Sequence, residues 1–325
     1  MLWKRFQNAL ILMALAGLTE GCSSSPPPTA PPTTVPSARV FDSPEAAVSS
    51  LVDALRAHDA AQLSSIFRPD DEEIISSGDP VADQAEIDRF LAAYDAKHYL
   101  QSDLGGGVIL YVGQQEWPFP VPIIRSGGGY AFDSATGKDE ILNRRIGRNE
   151  LSAEQVCLAI VDAQRDYVTM RPMGGDLPVY ARRLVSHPGT KDGLYWPTKD
   201  DEPPSPLGPL VAYATEEGYG ATRASEEPPP YHGYRYRLLT KQGVHATGGA
   251  MDYEVDGQLI GGFAVVAYPA DYGNSGITTF ITNHDGVVYE RDLGPDTEQL
   301  ARQMTEFDPG PGWIPAGEDS ESEGR

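Results

Sequence analysis

The sequence predicts an α+β fold of two modules, each opening with helices and closing with an antiparallel sheet. Three observations predict it. Apolar residues recur at helical spacing behind capped starts, once after Ser43 and again after Ser152. Short alternating or wholly apolar runs follow each helical region. Turns rich in Gly, Asn and Asp separate those runs.

The first module is expected over residues 40–143. Ser43-Pro44-Glu45 combines a capping hydroxyl, a proline suited to the first turn and an acid near the positive helix end. Val48, Leu51, Val52 and Leu55 supply the stripe. Asp59 caps a second helix carrying Leu63, Ile66 and Phe67. Asp79-Pro80 opens a third, with Ile87, Phe90, Leu91, Tyr94 and His98 expected on one face. The acid run Asp70 to Glu73 reads as the opening of a short helix rather than a calcium loop, since no alternating ligand pattern follows. Val108 to Val112 is a strand, residues 117–124 give more extended chain, and Gly127 to Gly129 turns into Tyr130 to Phe132.

The second module is expected over residues 144–310. Ser152-Ala153-Glu154-Gln155 fits a capping box, and Val156, Ile160, Ala163, Tyr167 and Met170 step along one buried stripe. Asp162, Arg165 and Asp166 form a solvated ladder on the other side. Tyr234 to Leu238 alternates apolar and basic residues, and Met251 to Val255 alternates apolar and acidic ones. Arg235 and Arg237 are therefore expected to face Asp252 and Glu254 across adjacent antiparallel strands. Asp256-Gly257 is a tight turn. Phe263 to Tyr268 is apolar on both faces and should be the central strand. Residues 277–282 and 287–289 make a last hairpin across Asn283 to Gly286.

The ends carry the address. Lys4 and Arg5 precede the apolar run Ala9 to Leu18, a basic start and short apolar core of the kind that directs secretion. The run is shorter than the roughly 20 residues a lasting membrane helix needs. Cys22 follows, then a Ser/Pro/Thr tether over 23–39. This arrangement resembles a bacterial lipoprotein cleavage site, in which the cysteine becomes the lipidated first residue. A membrane reached through that lipid and an envelope protein are then the expected partners, in the periplasm or cell envelope. A soluble product cut near Gly21 is the other reading. Residues 311–325 end in an acidic tail expected to be disordered.

Composition narrows the function classes. The formal charge of −22 repels nucleic acid, which is excluded as a partner. Of two cysteines, Cys157 sits within an apolar helical pattern and reads as a small buried hydrophobe. The six histidines show no zinc spacing, and neither a nucleophile elbow nor a phosphate loop is present in the sequence. No cofactor, metal or catalytic residue is implied. Arg144, Arg145 and Arg148 cluster in an otherwise acidic chain just before the expected helix start. Either they tie the modules together through carboxylates, or with His232 and Arg235 they bind an anionic ligand. Tyr94 and His98 are candidate pocket-lining residues in the first module. The leading reading is a binding or interaction module. The alternative is a small-ligand binder or enzyme using a pocket in the first module.

Three resemblances add to this. The helix-then-sheet order of residues 40–140 resembles the cone fold of the nuclear-transport-factor-like superfamily, which implies a pocket under a curled sheet. The long helix and meander of the second module, above all Gly262 to Tyr289, are similar to the globular part of type IV pilins; filament formation is not implied, because the apolar assembly helix is missing. Several phrases match one family: Ser77 to Val81, Trp117 to Pro120, Arg144 to Leu151, Asp162 to Arg165, Asp192 to Trp196, Ser205 to Leu210 and Tyr231 to Tyr234. On them the chain is identified as a member of the bacterial exported domain-of-unknown-function family 2950. That membership implies an envelope protein and no assigned activity.

Overall fold

The computed structural model describes residues 38–67, 72–103, 105–199, 201–219 and 230–317, and its class is the α+β expected. Cys22, the tether up to residue 37, Asp70, Asp71 and the acidic tail from residue 318 lie outside the described residues.

Local capping builds the first helices. Ser43 accepts from the Ala46 amide to start α1 (Pro44–Arg56), which buries Ala47, Val48, Leu51 and Val52. Asp59 accepts from Gln62 to start α2 (Ala60–Ile66). A single turn, α3 (Glu72–Ile75), precedes α4 (Pro80–Ala96), capped by Asp79 through the Val81 and Ala82 amides.

The chain then pairs β1 (His98–Ser102) with β2 (Val108–Val112). With β3 (Trp117–Pro118), β4 (Ile123–Ser126) and β5 (Gly129–Phe132) they form an antiparallel sheet ordered β1-β2-β4-β5, β3 lying on β2. Leu110, Val112, Ile123 and Phe132 face α1 and α2 in one core with Leu51 and Ile66.

His98 corrects the helical reading. Lys97 is extended, with φ −167° and ψ 134°, so the helix stops and His98 opens a strand. Pairing of Tyr99 with Tyr111 and Leu100 with Leu110 overrides the helical period. The four-residue spacing still brings the His98 ring onto Tyr94, stacked at 3.8 Å between centroids.

A second correction concerns the long helix. It begins not at Ser152 but at Asp133, whose side chain caps α5 (Ser134–Met170). At 37 residues it is about 55 Å long. The boundary expected between residues 143 and 144 falls inside it. Lys138 to Arg148 are mostly good helix formers, so nothing stops the helix before Ser152, and the polar S-x-x-Q pattern there sits mid-helix. From Ser37 onward the chain clusters as one compact unit.

After α5 come a short parallel pair, β6 (Arg183–Val185) with β7 (Gly193–Tyr195), and then α6 (Gly208–Glu216). Next are β8 (Tyr234–Leu239), β9 (Lys241–Gln242), β10 (Met251–Asp252), β11 (Glu254–Val255) and β12 (Gln258–Leu259). The chain continues through β13 (Ala264–Pro269), β14 (Thr278–Asn283), β15 (Val288–Asp292), α7 (Thr297–Gln303), β16 (Glu306–Phe307) and β17 (Ile314–Pro315). The main sheet runs β17-β15-β14-β13-β8. Every residue of β13 is buried, as its apolar run predicted. Its two faces feed two cores. Val265 and Ala267 pack with Val156, Cys157 and Ile160 of α5; Ala264 and Val266 pack with Leu239, Tyr253 and Phe307.

The expected pairing of the basic and acidic strands is not formed. β8 lies beside β13, with Arg235 opposite Tyr268 and Arg237 opposite Val266. A fully buried central strand needs a hydrogen-bonding partner on each edge, and β8 supplies one of them. Arg237 instead donates to the Ala301 and Met304 carbonyls at the end of α7. Asp252 pairs with Lys241 and Glu254 with Arg182.

Candidate functional site

The arginine cluster lies within α5, and helical geometry sends its members in different directions. Arg144 lays its guanidinium 4.5 Å over the Trp117 ring, donates to Glu140 Oε1 at 2.6 Å and reaches the Pro118 carbonyl at 3.3 Å. Arg148 Nη1 lies 2.6 Å from Glu86 Oε1 on α4. Both are surface contacts.

Arg145 points inward and is only 8 % exposed. Its Nη2 donates to the Glu73 carbonyl at 2.7 Å. Its Nη1 donates to Asn274 Oδ1 and, at 3.5 Å, to the Ser76 carbonyl. Burial lowers its pKa; Arg148 adds to this, while Asp83, Glu86 and Glu73 oppose it. A guanidinium remains charged through such a shift. One side chain thus joins the α3–α4 connection to the β13–β14 loop.

The neighbours of Arg145 extend the junction. Asn149 Nδ2 donates to the Ser275 carbonyl at 2.8 Å. Glu150 Oε1 accepts from the Ile277 and Thr278 amides, each at 3.0 Å. Asn274 Nδ2 returns to the Ser77 carbonyl at 3.4 Å. Asp79, 6 % exposed, caps α4 with one oxygen. With the other it accepts from the Tyr219 hydroxyl at 2.7 Å and the Gly233 amide at 3.4 Å. Burial raises the Tyr219 pKa, and the bond to Asp79 raises it further, so the hydroxyl keeps its proton and donates.

His232 reaches this junction through a tight turn. Tyr231 and Tyr234 exchange backbone hydrogen bonds, and His232 and Gly233 between them have φ of 49° and 73°. A Cβ on Gly233 would come within 2.6 Å of Asn149 Nδ2 and 2.9 Å of Ser275 Cβ, so the turn fits against α5 only with glycine there. His232 Nε2 lies 3.3 Å from Glu217 Oε2, which also accepts from the Tyr231 hydroxyl at 3.1 Å. Arg235 stands two residues into β8.

The structure gives the residues proposed for an anion different partners. Arg144 and Arg148 meet Glu140 and Glu86, His232 meets Glu217, and Arg145 meets neutral oxygens of the chain. Of the two readings of the cluster, this geometry resembles the fastener, with one difference: the buried arginine grips carbonyl and amide oxygens rather than carboxylates. Tyr94 and His98 form their stack at the surface, where His98 is exposed. Among the described residues there is no group of three or more His, Cys, Asp or Glu placed to hold a metal ion, and no helix long and apolar enough to cross a membrane.

Asp79, Asn149, Tyr219, Gly233 and Asn274 were not singled out as site residues in the sequence. Asp79 carried a signal, as a cap directly before proline, but its second oxygen finds partners over 100 residues away. The phrases Ser77 to Val81, Arg144 to Leu151 and Tyr231 to Tyr234, far apart in the chain, meet at this one junction.

A family model described as protein of unknown function (DUF2950) matches residues 38–315. The chain belongs to this family. The match spans all three cores and the helix α5 that two of them share. No curated protein and no solved structure matches, so neither the cone-fold nor the pilin resemblance is carried further.

Proposed function

We propose that this DUF2950 protein is an exported envelope protein, held at a membrane by a lipid on Cys22, whose folded body acts as a binding or interaction module. The observation that carries this is the order of the first forty residues. Lys4 and Arg5, the apolar run Ala9 to Leu18, Cys22 and a Ser/Pro/Thr stretch precede the folded body. The junction supports the second half of the reading: a body fastened by buried polar bonds presents its surfaces in fixed relation.

The test is metabolic labelling of the full chain with a fatty-acid probe, with fractionation of wild type and Cys22→Ser. Wild type should carry the label and follow the membrane, and the variant should lose both. An unlabelled wild type in the soluble fraction would overturn the anchor.

A further inference from the structure

A cavity of about 300 Å³ lies between the end of α7, β16 and Trp313, over Ile281 of β14. Its lining has two characters. Ile281, Met304 and Trp313 are apolar, whereas Glu306 and Asp308 carry carboxylates. The size is at the lower end for small-ligand sites.

The charges are unevenly committed. Asp308 is held by the His245 ring at 2.9 Å and by the His245 amide at 2.8 Å. Glu306 is exposed, and among the described residues its carboxylate has no hydrogen-bond or ion-pair partner. The basic side chains near the cavity have partners of their own: Arg237 the Ala301 and Met304 carbonyls, Arg291 the Pro311 carbonyl, Arg302 the Glu298 carboxylate, and Lys241, opposite Glu306 in the β9–β16 register, the Asp252 carboxylate. Among the described residues no basic side chain lines the cavity itself. An indole and a thioether beside an uncommitted carboxylate suit a group with an apolar stem and a cationic head.

We infer that this cavity binds an alkylammonium group, its stem against Met304 and Trp313 and its head at Glu306. The inference rests on the binding-module reading and names its ligand class. It is tested in vitro on the binding step alone, so its failure is separate from any failure of the lipid anchor.

The experiment is ligand-observed saturation-transfer NMR on the full chain in detergent, with empty micelles subtracted. The probes are n-butylammonium chloride and n-butanol at equal ionic strength. Butylammonium should bind saturably and about fivefold more tightly than butanol, and Glu306→Gln should erase that difference. Glu298→Gln, which removes a surface acid paired with Arg302, should leave it intact. The tripeptide Ala-Lys-Ala identifies the source of the group: tighter binding than butylammonium supports a partner's lysine, weaker binding a free amine. Equal binding of butylammonium and butanol, or an unchanged preference in Glu306→Gln, would overturn the inference.

Discussion

Asp192 shows how a single side chain can gather local bonds. Burial works against its charge. Hydrogen bonds from Thr190 and from the His187 amide and ring, with attraction to that ring, outweigh burial and hold the pKa down at about 2, against an ordinary 3.8. A carboxylate with a depressed folded pKa contributes stability above its unfolded value and loses it as pH falls through the folded one. That contribution should be complete above about pH 5 and fade toward pH 2, with a size of about 1 kcal/mol after solvent screening. Denaturant titrations of wild type and Asp192→Asn should differ by that amount at pH 7, and the gap should shrink through pH 2 and close only below it. A gap independent of pH would disprove the account. Asp192 stands in one of the family phrases, and its motif was legible in the sequence; its bond to His187 was not, because that depends on how the strands on either side of the loop pair.

At the scale of the element, α5 is the feature the periodicity only half revealed. The stripe from Val156 to Tyr167 was legible because one core buries it. The turns before it face a different core and the junction, so no single stripe runs the length of the helix. Its two glycines have opposite surroundings. A Cβ at Gly137 would lie 2.6 Å from Val121 Cγ2 and 2.9 Å from Val121 Cα, whereas nothing approaches one at Gly147. Gly147→Ala should therefore stabilise the protein by about 0.5–1 kcal/mol through helix propensity. Gly137→Ala should destabilise it by about 1–3 kcal/mol through overpacking. Chemical denaturation of the two variants reads both signs, and a shared sign would refute the packing explanation.

For the whole molecule, the consequence of α5 is coupling. One helix contributes to the first core near Ile141 and to the second from Ala153 onward, and Arg145 closes the junction between them. The two cores should therefore melt in one calorimetric transition. Gly147→Pro would break the helix beside the junction at a cost of about 3 kcal/mol and should split the transition in two. Two transitions in the wild type would show that the shared helix does not couple the cores.

Taken by itself, the sequence determined what depends on neighbours along the chain. Ser43, Asp59 and Asp79 name their helix starts, Asp256-Gly257 its turn, and the unbroken apolarity of residues 263–268 the buried central strand. Local hydrogen bonds and side-chain periodicity carry that information. Tertiary structure decided what depends on distant partners: the continuation of α5 through Ser152, the strand at His98, the place of β8 beside β13, and the meeting of Asp79 with Tyr219 and Gly233 and of Arg145 with Asn274. The charge pattern of residues 234–255 suggested a neighbour for β8 that did not form: the central strand β13 takes β8 as the backbone partner of one edge, and Asp252 meets Lys241 of β9 instead.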